Sequence, residues 1–235
     1  MARGRPPLRK FVSVLVHELR TPLGVIQGFS ELLLTRALPA DTVKELAGDI
    51  HVEAVRMRKM LEDVRHFVRI REGAGPARLS THYLNDLVRE YCAASAADSK
   101  HPLVLDLLEK SVKVEADRDC LFQILGHLLS NAGKYADHDA EISLSTEEDR
   151  DALKVCVYYS GEPLSPAHGK KIFEPFARGF HSRDKEIPGA GLGLTIAREL
   201  SRSMKGRLDW VPVNGRLCKF CLTLPKIDRK KVVRN

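Results

Sequence analysis

The chain has 235 residues, 43% of them hydrophobic and 29% charged, with a formal net charge of +7. That length allows one or two domains, each able to bury a core; no apolar run is long enough to cross a bilayer, and Met1-Ala-Arg-Gly-Arg-Pro-Pro7 lacks the apolar centre of a secretory leader, so a cytoplasmic protein is expected. The excess positive charge sits in two basic tails, residues 1–10 and 227–235, and no basic face interleaved with aromatics follows between them, which argues against nucleic acid as a partner.

The first predicted element runs from Phe11 to Leu34. At roughly 100° per residue, Val12, Leu15, Leu19, Leu23, Ile26 and Leu33 fall within about 40° of one line and form an expected buried stripe. His17 and Thr21 share a face roughly 160° from that stripe, one turn apart, and point outward. A lone exposed histidine is ordinary. The run His17-Glu18-Leu19-Arg20-Thr21-Pro22-Leu23 adds a carboxylate beside the imidazole, a hydroxyl one turn on, and a proline that costs the helix a hydrogen bond.

Leu38-Pro39-Ala40-Asp41 predicts a turn with Asp41 as N-cap, followed by a second helix with apolar positions at Val43, Leu46, Ile50, Ala54, Met57, Leu61, Val64 and Val68. Two long amphipathic helices on a short loop make an antiparallel hairpin, residues 11–71, that cannot bury both stripes alone. Two copies pairing into a four-helix bundle, and hence a homodimer, is the expected solution; packing of the hairpin on the chain's own second domain is the alternative.

The breaker-rich stretch 72–77 is the expected linker and hinge between the hairpin and a second domain, residues 78–226. There the pattern predicts a helix capped by Ser80 or Thr81 and running to about Ala96, then short strands at 103–107 and 112–115. A helix over 120–135 capped by Asp117 follows, with strands at 142–145 and 153–158, a helix at 195–204, and strands at 207–211 and 217–224. Helices and mostly antiparallel strands of this kind build a two-layer α/β sandwich. Five cysteines, an odd number, argue against a disulfide framework and fit a reducing compartment. Cys218 and Cys221 match C-x-x-C, but on a strand they face opposite sides and do not make a zinc or redox pair.

Three stretches of this domain carry candidate chemistry. The helix 120–135 sets His127, Asn131 and Lys134 or Tyr135 along one side, where an amide oxygen suits a hard cation and an ammonium suits phosphate. Gly189-Ala-Gly-Leu-Gly-Leu194 leads into a helix N-terminus, an arrangement that lets backbone N–H groups approach phosphate oxygens. Its G-x-G-x-G spacing and the absence of a βαβ context disfavour a dinucleotide site. Lys171-Ile-Phe-Glu-Pro-Phe-Ala-Arg178 places two aromatics around Glu-Pro with a basic residue after them.

The run at His17 resembles the phosphoacceptor box of sensor histidine kinases of two-component systems. The Asn131 helix, the aromatic run and the glycine loop resemble, in order, the N, F and G2 boxes of their catalytic domain, so the resemblance covers nearly the whole chain. It implies a helical hairpin, a four-helix bundle as a dimer, followed by an ATP-binding sandwich of the Bergerat/GHKL type with a mobile lid over about Arg178 to Pro188. It implies ATP and Mg²⁺ as cofactors and a response-regulator receiver domain as partner. His17 is then the phosphoacceptor, Glu18 the general base and Thr21 the residue that orients water for phosphatase action. Asn131 is expected to hold Mg²⁺. The nucleotide is expected to lie among Asn131, Lys134, Tyr135, Tyr159, Gly161, Phe173, Arg178, Gly189, Gly191, Leu192, Gly193 and Leu194.

In one box the chain departs from the pattern. The acidic residue that the family uses to read the adenine amino group is Tyr159 here, Pro163 stands at the second glycine, and His127 replaces the first asparagine of the N box. Two functions follow from these residues: an active kinase with an altered adenine pocket, or a degenerate kinase that serves as a response-regulator scaffold or phosphatase.

Overall fold

The structure, a computed structural model, describes residues 8–72, 77–95, 101–178, 190–213 and 215–227. Helices α1 (Leu8–Thr35) and α2 (Ala40–Arg71) form the hairpin. α2 opens directly after Pro39, whose side chain makes no capping bond, so Asp41 is not the cap; it lies in the first turn, where its charge still complements the helix dipole. Pro22 stays inside α1 and is buried. The predicted α1 stripe is only half covered. Leu15, Leu19, Ile26 and Leu33 are half-buried, whereas Val12 and Leu23 are exposed because one hairpin has nothing to lay over them.

The second domain follows as β1 (Ser80–Tyr83), α3 (Leu84–Ser95), β2 (Leu103–Asp106), β3 (Lys113–Ala116), α4 (Arg118–Tyr135), β4 (Ile142–Glu148) and β5 (Ala152–Ser160). A short turn, α5 (Pro166–Gly169), then precedes α6 (Gly193–Ser203), β6 (Arg207–Val211) and β7 (Leu217–Pro225). The main sheet has the order β2-β4-β5-β7-β6, antiparallel except for the parallel pair β2 and β4. One face of it is covered by helices through Leu121, Ile124, Leu125 and Leu128 of α4 and Leu84, Leu87 and Val88 of α3, packed on Leu144, Val155, Val157, Phe220 and Leu222. Asp117 caps α4 as expected, accepting from the backbone N–H groups of Asp119 and Cys120.

Two expectations are corrected here. Residues 80–83 are a strand, not the first turn of a helix, because β3 offers them an antiparallel partner in the register Ser80 to Ala116 and Tyr83 to Lys113. The odd cysteine count also misleads: Cys156 and Cys221 face each other directly across β5 and β7 and are joined, 65 residues apart in sequence. Parity says nothing about one cross-strand pair. Cys218 is free and lies on the opposite face of β7 from Cys221, as the alternation requires.

The hairpin and the sandwich meet along a second stripe of α2. Phe67 is buried with Ala190, Leu192 and Ile196, and Val64, Ile70 and Phe176 pack around them. The Phe67 and Phe176 rings meet edge to face with centroids 6.1 Å apart. The alternative role for the hairpin, covering part of itself with the second domain, is therefore realised on this side. The stripe left open belongs mainly to the other faces. The hinge expected at 72–77 lies largely outside the described residues, as do both basic tails in greater part.

Candidate nucleotide and phosphoacceptor site

A cavity of about 350 Å³ opens between α2 and the sandwich. From α4 it takes His127, Ser130, Asn131, Lys134 and Tyr135, and from the segment around the glycine loop Ala190, Gly191, Leu192, Gly193 and Leu194. Leu164, Ile172 and Phe220 give it an apolar end, and α2 closes it with Val52, Val55, Arg56, Lys59, Met60 and Asp63. Arg178 and Ala177 complete the wall. Asn131, Lys134, Tyr135, Arg178, Gly191, Leu192, Gly193 and Leu194, the residues that the resemblance gathers around a nucleotide, thus line one cavity. Gly189 and the lid after Arg178 lie outside the described residues.

The glycines are demanded by close approach. Gly191 has φ +67°, and a Cβ on it would meet the backbone of Phe176 and the Ala177 carbonyl at 3.0 Å. Phe176 itself sits in the left-handed region at φ 63°, held by its N–H donating to the Gly191 carbonyl at 3.0 Å. A Cβ on Gly193 would lie 3.0 Å from His127 Nδ1, so this glycine makes room for the imidazole that replaces an asparagine.

Three predicted nucleotide contacts are not on the cavity wall. Phe173 is a core residue whose ring packs edge to face on Phe220, at a centroid distance of 6.4 Å; its carbonyl accepts from Thr195 Oγ1 at 3.0 Å and Arg198 Nη2 at 3.1 Å. It fixes the start of α6 from behind. Gly161 is buried at the end of β5, where a Cβ would stand 2.4 Å from the Tyr135 carbonyl, so it sets the height of Tyr135. Tyr159 is 1% exposed, its ring nearly parallel to that of Phe220 at 6.4 Å. Its hydroxyl lies beside the Cys218 thiol without a hydrogen bond of normal geometry, and burial raises its pKa well above that of a free phenol. The ring that stands where a carboxylate was expected is folded into the core, leaving the apolar end of the cavity without a carboxylate among the described residues.

Charge is concentrated at the other end. Lys134 is pushed below the ordinary lysine value, first by burial of its ammonium and then by the charge of Lys59, with Arg56 and Arg178 adding to it and Asp63 pulling the other way. Asp63 is raised to about 6 by burial, against the pull of Lys59 and Lys134. Burial lowers His127 to about 4, so it is neutral at pH 7. His127 Nε2 stands 3.8 Å from Asp63, too far for a hydrogen bond, and the neutral ring makes no ion pair there. Arg56, Lys59 and Asp63 escaped the sequence reading because α2 was assigned one apolar stripe. Their i, i+3, i+7 spacing, together with Met60 and Phe67, was the available signal of a second face.

On α1 the His17 side chain is 78% exposed, and Thr21 is exposed one turn on. Glu18 is 11% exposed; its Oε1 is 3.5 Å from His17 Nδ1 and accepts from Arg178 Nη1 at 2.9 Å. One carboxylate therefore bridges the imidazole and the arginine that lines the cavity. Nδ1 faces Glu18, which turns Nε2 outward.

A hairpin presenting an exposed histidine thus stands beside a sandwich whose glycine loop and asparagine helix enclose a basic cavity, the arrangement that the resemblance to sensor histidine kinases implies. Two family models match the chain: the His Kinase A (phospho-acceptor) domain over residues 8–73, and the histidine kinase-, DNA gyrase B- and HSP90-like ATPase over residues 116–228. The chain belongs to the sensor histidine kinases. It is 26% identical over 234 residues to the sensor-like histidine kinase SenX3 of Mycobacterium tuberculosis, covering 96% of this chain and 56% of that protein. The chain thus spans about half the length of that relative. Its fold is shared with histidine kinase ThkA, solved in complex with response regulator protein TrrA, at TM-score 0.71 and 21% identity over 93% of this chain and 61% of that one. It is shared also with full-length ShkA in complex with AMPPNP, at TM-score 0.64 and 24% identity over 92% and 45%.

Proposed function

We propose that the chain is the kinase core of a two-component sensor: it transfers the γ-phosphoryl group of ATP to His17 and passes it to an aspartate of a response-regulator receiver domain. The observation that carries this reading is the Arg178–Glu18 pair, which joins the wall of the basic cavity to the carboxylate beside the His17 imidazole. His17 Nε2 attacks the γ-phosphorus, the bond to the β–γ bridging oxygen breaks, and ADP leaves. Glu18, facing Nδ1, takes the proton that this nitrogen gives up, so the phosphorylated ring is neutral. Arg178, Lys134 and the N-terminus of α6 meet the charge on the transferring group. Thr21 on the same face of α1 orients water for the reverse, phosphatase direction.

Among the described residues no three carboxylate, histidine or cysteine side chains converge to hold a metal. That suits Mg²⁺ held by the Asn131 amide oxygen together with nucleotide phosphates and water, the usual habit of this ion; bound there, it supplies charge neutralisation. The exposed apolar residues of the hairpin support a homodimer, and the likenesses to the ThkA–TrrA and ShkA–AMPPNP complexes support a receiver domain and ATP as partners.

A second reading, a degenerate kinase acting as a receiver scaffold or phosphatase, is favoured by one observation: Tyr159 is buried where an adenine-reading carboxylate was expected. One assay separates the two. The protein is incubated with γ-labelled ATP and Mg²⁺ alongside His17→Gln and Asn131→Ala. Acid-labile, base-stable label that needs both residues supports the kinase. No label, with no rise in melting temperature at millimolar ATP, leaves the scaffold.

A further inference from the structure

Four cationic side chains converge on the cavity, and half of them belong to the hairpin: Arg56 and Lys59 come from α2, Lys134 from α4, and Arg178 from the segment that follows Phe176. Asp63 is the one carboxylate on the wall among the described residues. Arg56 is held from outside the cavity, its Nη1 donating to the Glu53 carboxylate at 3.2 and 3.4 Å. A guanidinium carries five donors in a rigid fork, so a carboxylate at one nitrogen aims the group without using it up. Lys59 sits between Arg56 and Asp63 on the same face of α2, close enough to Lys134 to depress its pKa. Crowding like charges in a half-buried space costs energy that an anion of high charge would recover.

The apolar seam that also holds α2 to the sandwich is small: Phe67, Ala190, Leu192 and Ile196 are its buried members. A ligand bridging the two sides would therefore weigh heavily in whether they stay together.

We propose that Arg56 and Lys59 are part of the polyphosphate site, so that α2 clamps the nucleoside triphosphate against α4 and the glycine loop, and nucleotide binding and docking of the sandwich on the hairpin are one event. The proposal rests on the kinase reading and adds to it a contribution from the hairpin itself. Its consequence is a built-in release. After transfer the diphosphate has lost one phosphoryl group with its charge, holds α2 less firmly, and lets the sandwich leave the face of α1 that carries His17.

The test uses the full chain with Mg²⁺ and measures calorimetric affinities for the β,γ-imido analogue of ATP, ADP, inorganic tripolyphosphate and adenosine. Arg56→Gln and Lys59→Gln are each expected to weaken the triphosphate analogue and tripolyphosphate about tenfold or more, the scale of one charge-assisted hydrogen bond. The loss is smaller for ADP and absent for adenosine, and Lys59→Arg stays within roughly threefold of wild type because its charge is kept. X-ray scattering should show the wild type contracting on addition of the analogue and the two glutamine variants failing to do so at equal occupancy. Glutamine variants that bind the analogue as wild type does, or that lose adenosine equally, overturn the inference and leave the kinase reading in place. Wild type that binds neither triphosphate, diphosphate nor tripolyphosphate overturns the kinase reading itself.

Discussion

The two halves of the chain solve the problem of apolar surface in opposite ways. The sandwich buries its own: Leu121, Ile124, Leu125, Leu144, Leu153 and Leu222 are fully enclosed between helices and sheet. The hairpin does not. Of the fourteen large hydrophobic residues exposed among those described, ten lie on α1 or α2, Leu34, Val52 and Leu61 most openly. A fold that hides its apolar surface can stand alone, whereas one that leaves a stripe open is half of an assembly. The candidate chemistry divides in the same way, with His17, the proposed phosphoacceptor, on the incomplete half and the wall of the proposed nucleotide cavity mostly on the complete one.

The sharpest way to break this division is chemical. His17→Gln should reduce phosphoryl label to background while leaving the affinity for the β,γ-imido analogue of ATP within about twofold, since the exposed imidazole does not line the cavity. Label transfer and titration calorimetry check the two halves separately. Next in size, Phe220→Ala removes a ring packed between Tyr159 and Phe173 and should cost the sandwich about 3–5 kcal/mol, read as a lower urea midpoint, with helical signal from the hairpin retained.

The hairpin should respond to the reverse kind of change. Val16→Asp with Leu61→Asp places charge at two exposed apolar positions, 48% and 52% accessible. Losing the burial of two such side chains, about 1.5–3 kcal/mol each, should weaken the proposed dimer on the order of 100-fold or more by sedimentation and leave the melting of the sandwich unchanged.

The smallest effect lies where the halves touch. Asp63, raised by burial from its ordinary 3.8 to about 6, contributes most to stability at low pH, and that contribution is lost as pH rises through about 6. His127 works in the opposite sense: it is lowered from 6.5 to about 4, and its contribution is lost as pH falls through that range. Asp63→Asn should therefore stabilise the protein at pH 7–8 by about 1 kcal/mol. It should also leave the steeper decline of stability below pH 6 that His127 imposes. Urea midpoints from pH 4 to 8 on the two proteins decide it.

Much of this molecule is written locally. The period of the first helix set His17 and Thr21 on an outward face, Asp117 marked the start of α4, and alternation marked β4 to β7. Each depends on residues within a turn or two of each other, where spacing alone decides which side chains share a face.

Tertiary structure decided what depends on partners far along the chain. Residues 80–83 became a strand because β3 lay beside them, and Cys156 met Cys221 because β5 and β7 fell into that register. Tyr159 turned into the core instead of toward a base, because Phe220 gave its ring a surface to lie on. Arg178 reached Glu18 across 160 residues, and α2 proved to have two working faces, one left open and one built of Arg56, Lys59, Asp63 and Phe67 against the sandwich. Periodicity shows that a helix has a face to bury, but what covers that face is set by long-range packing, and here that packing links His17, through Glu18 and Arg178, to the wall of the cavity.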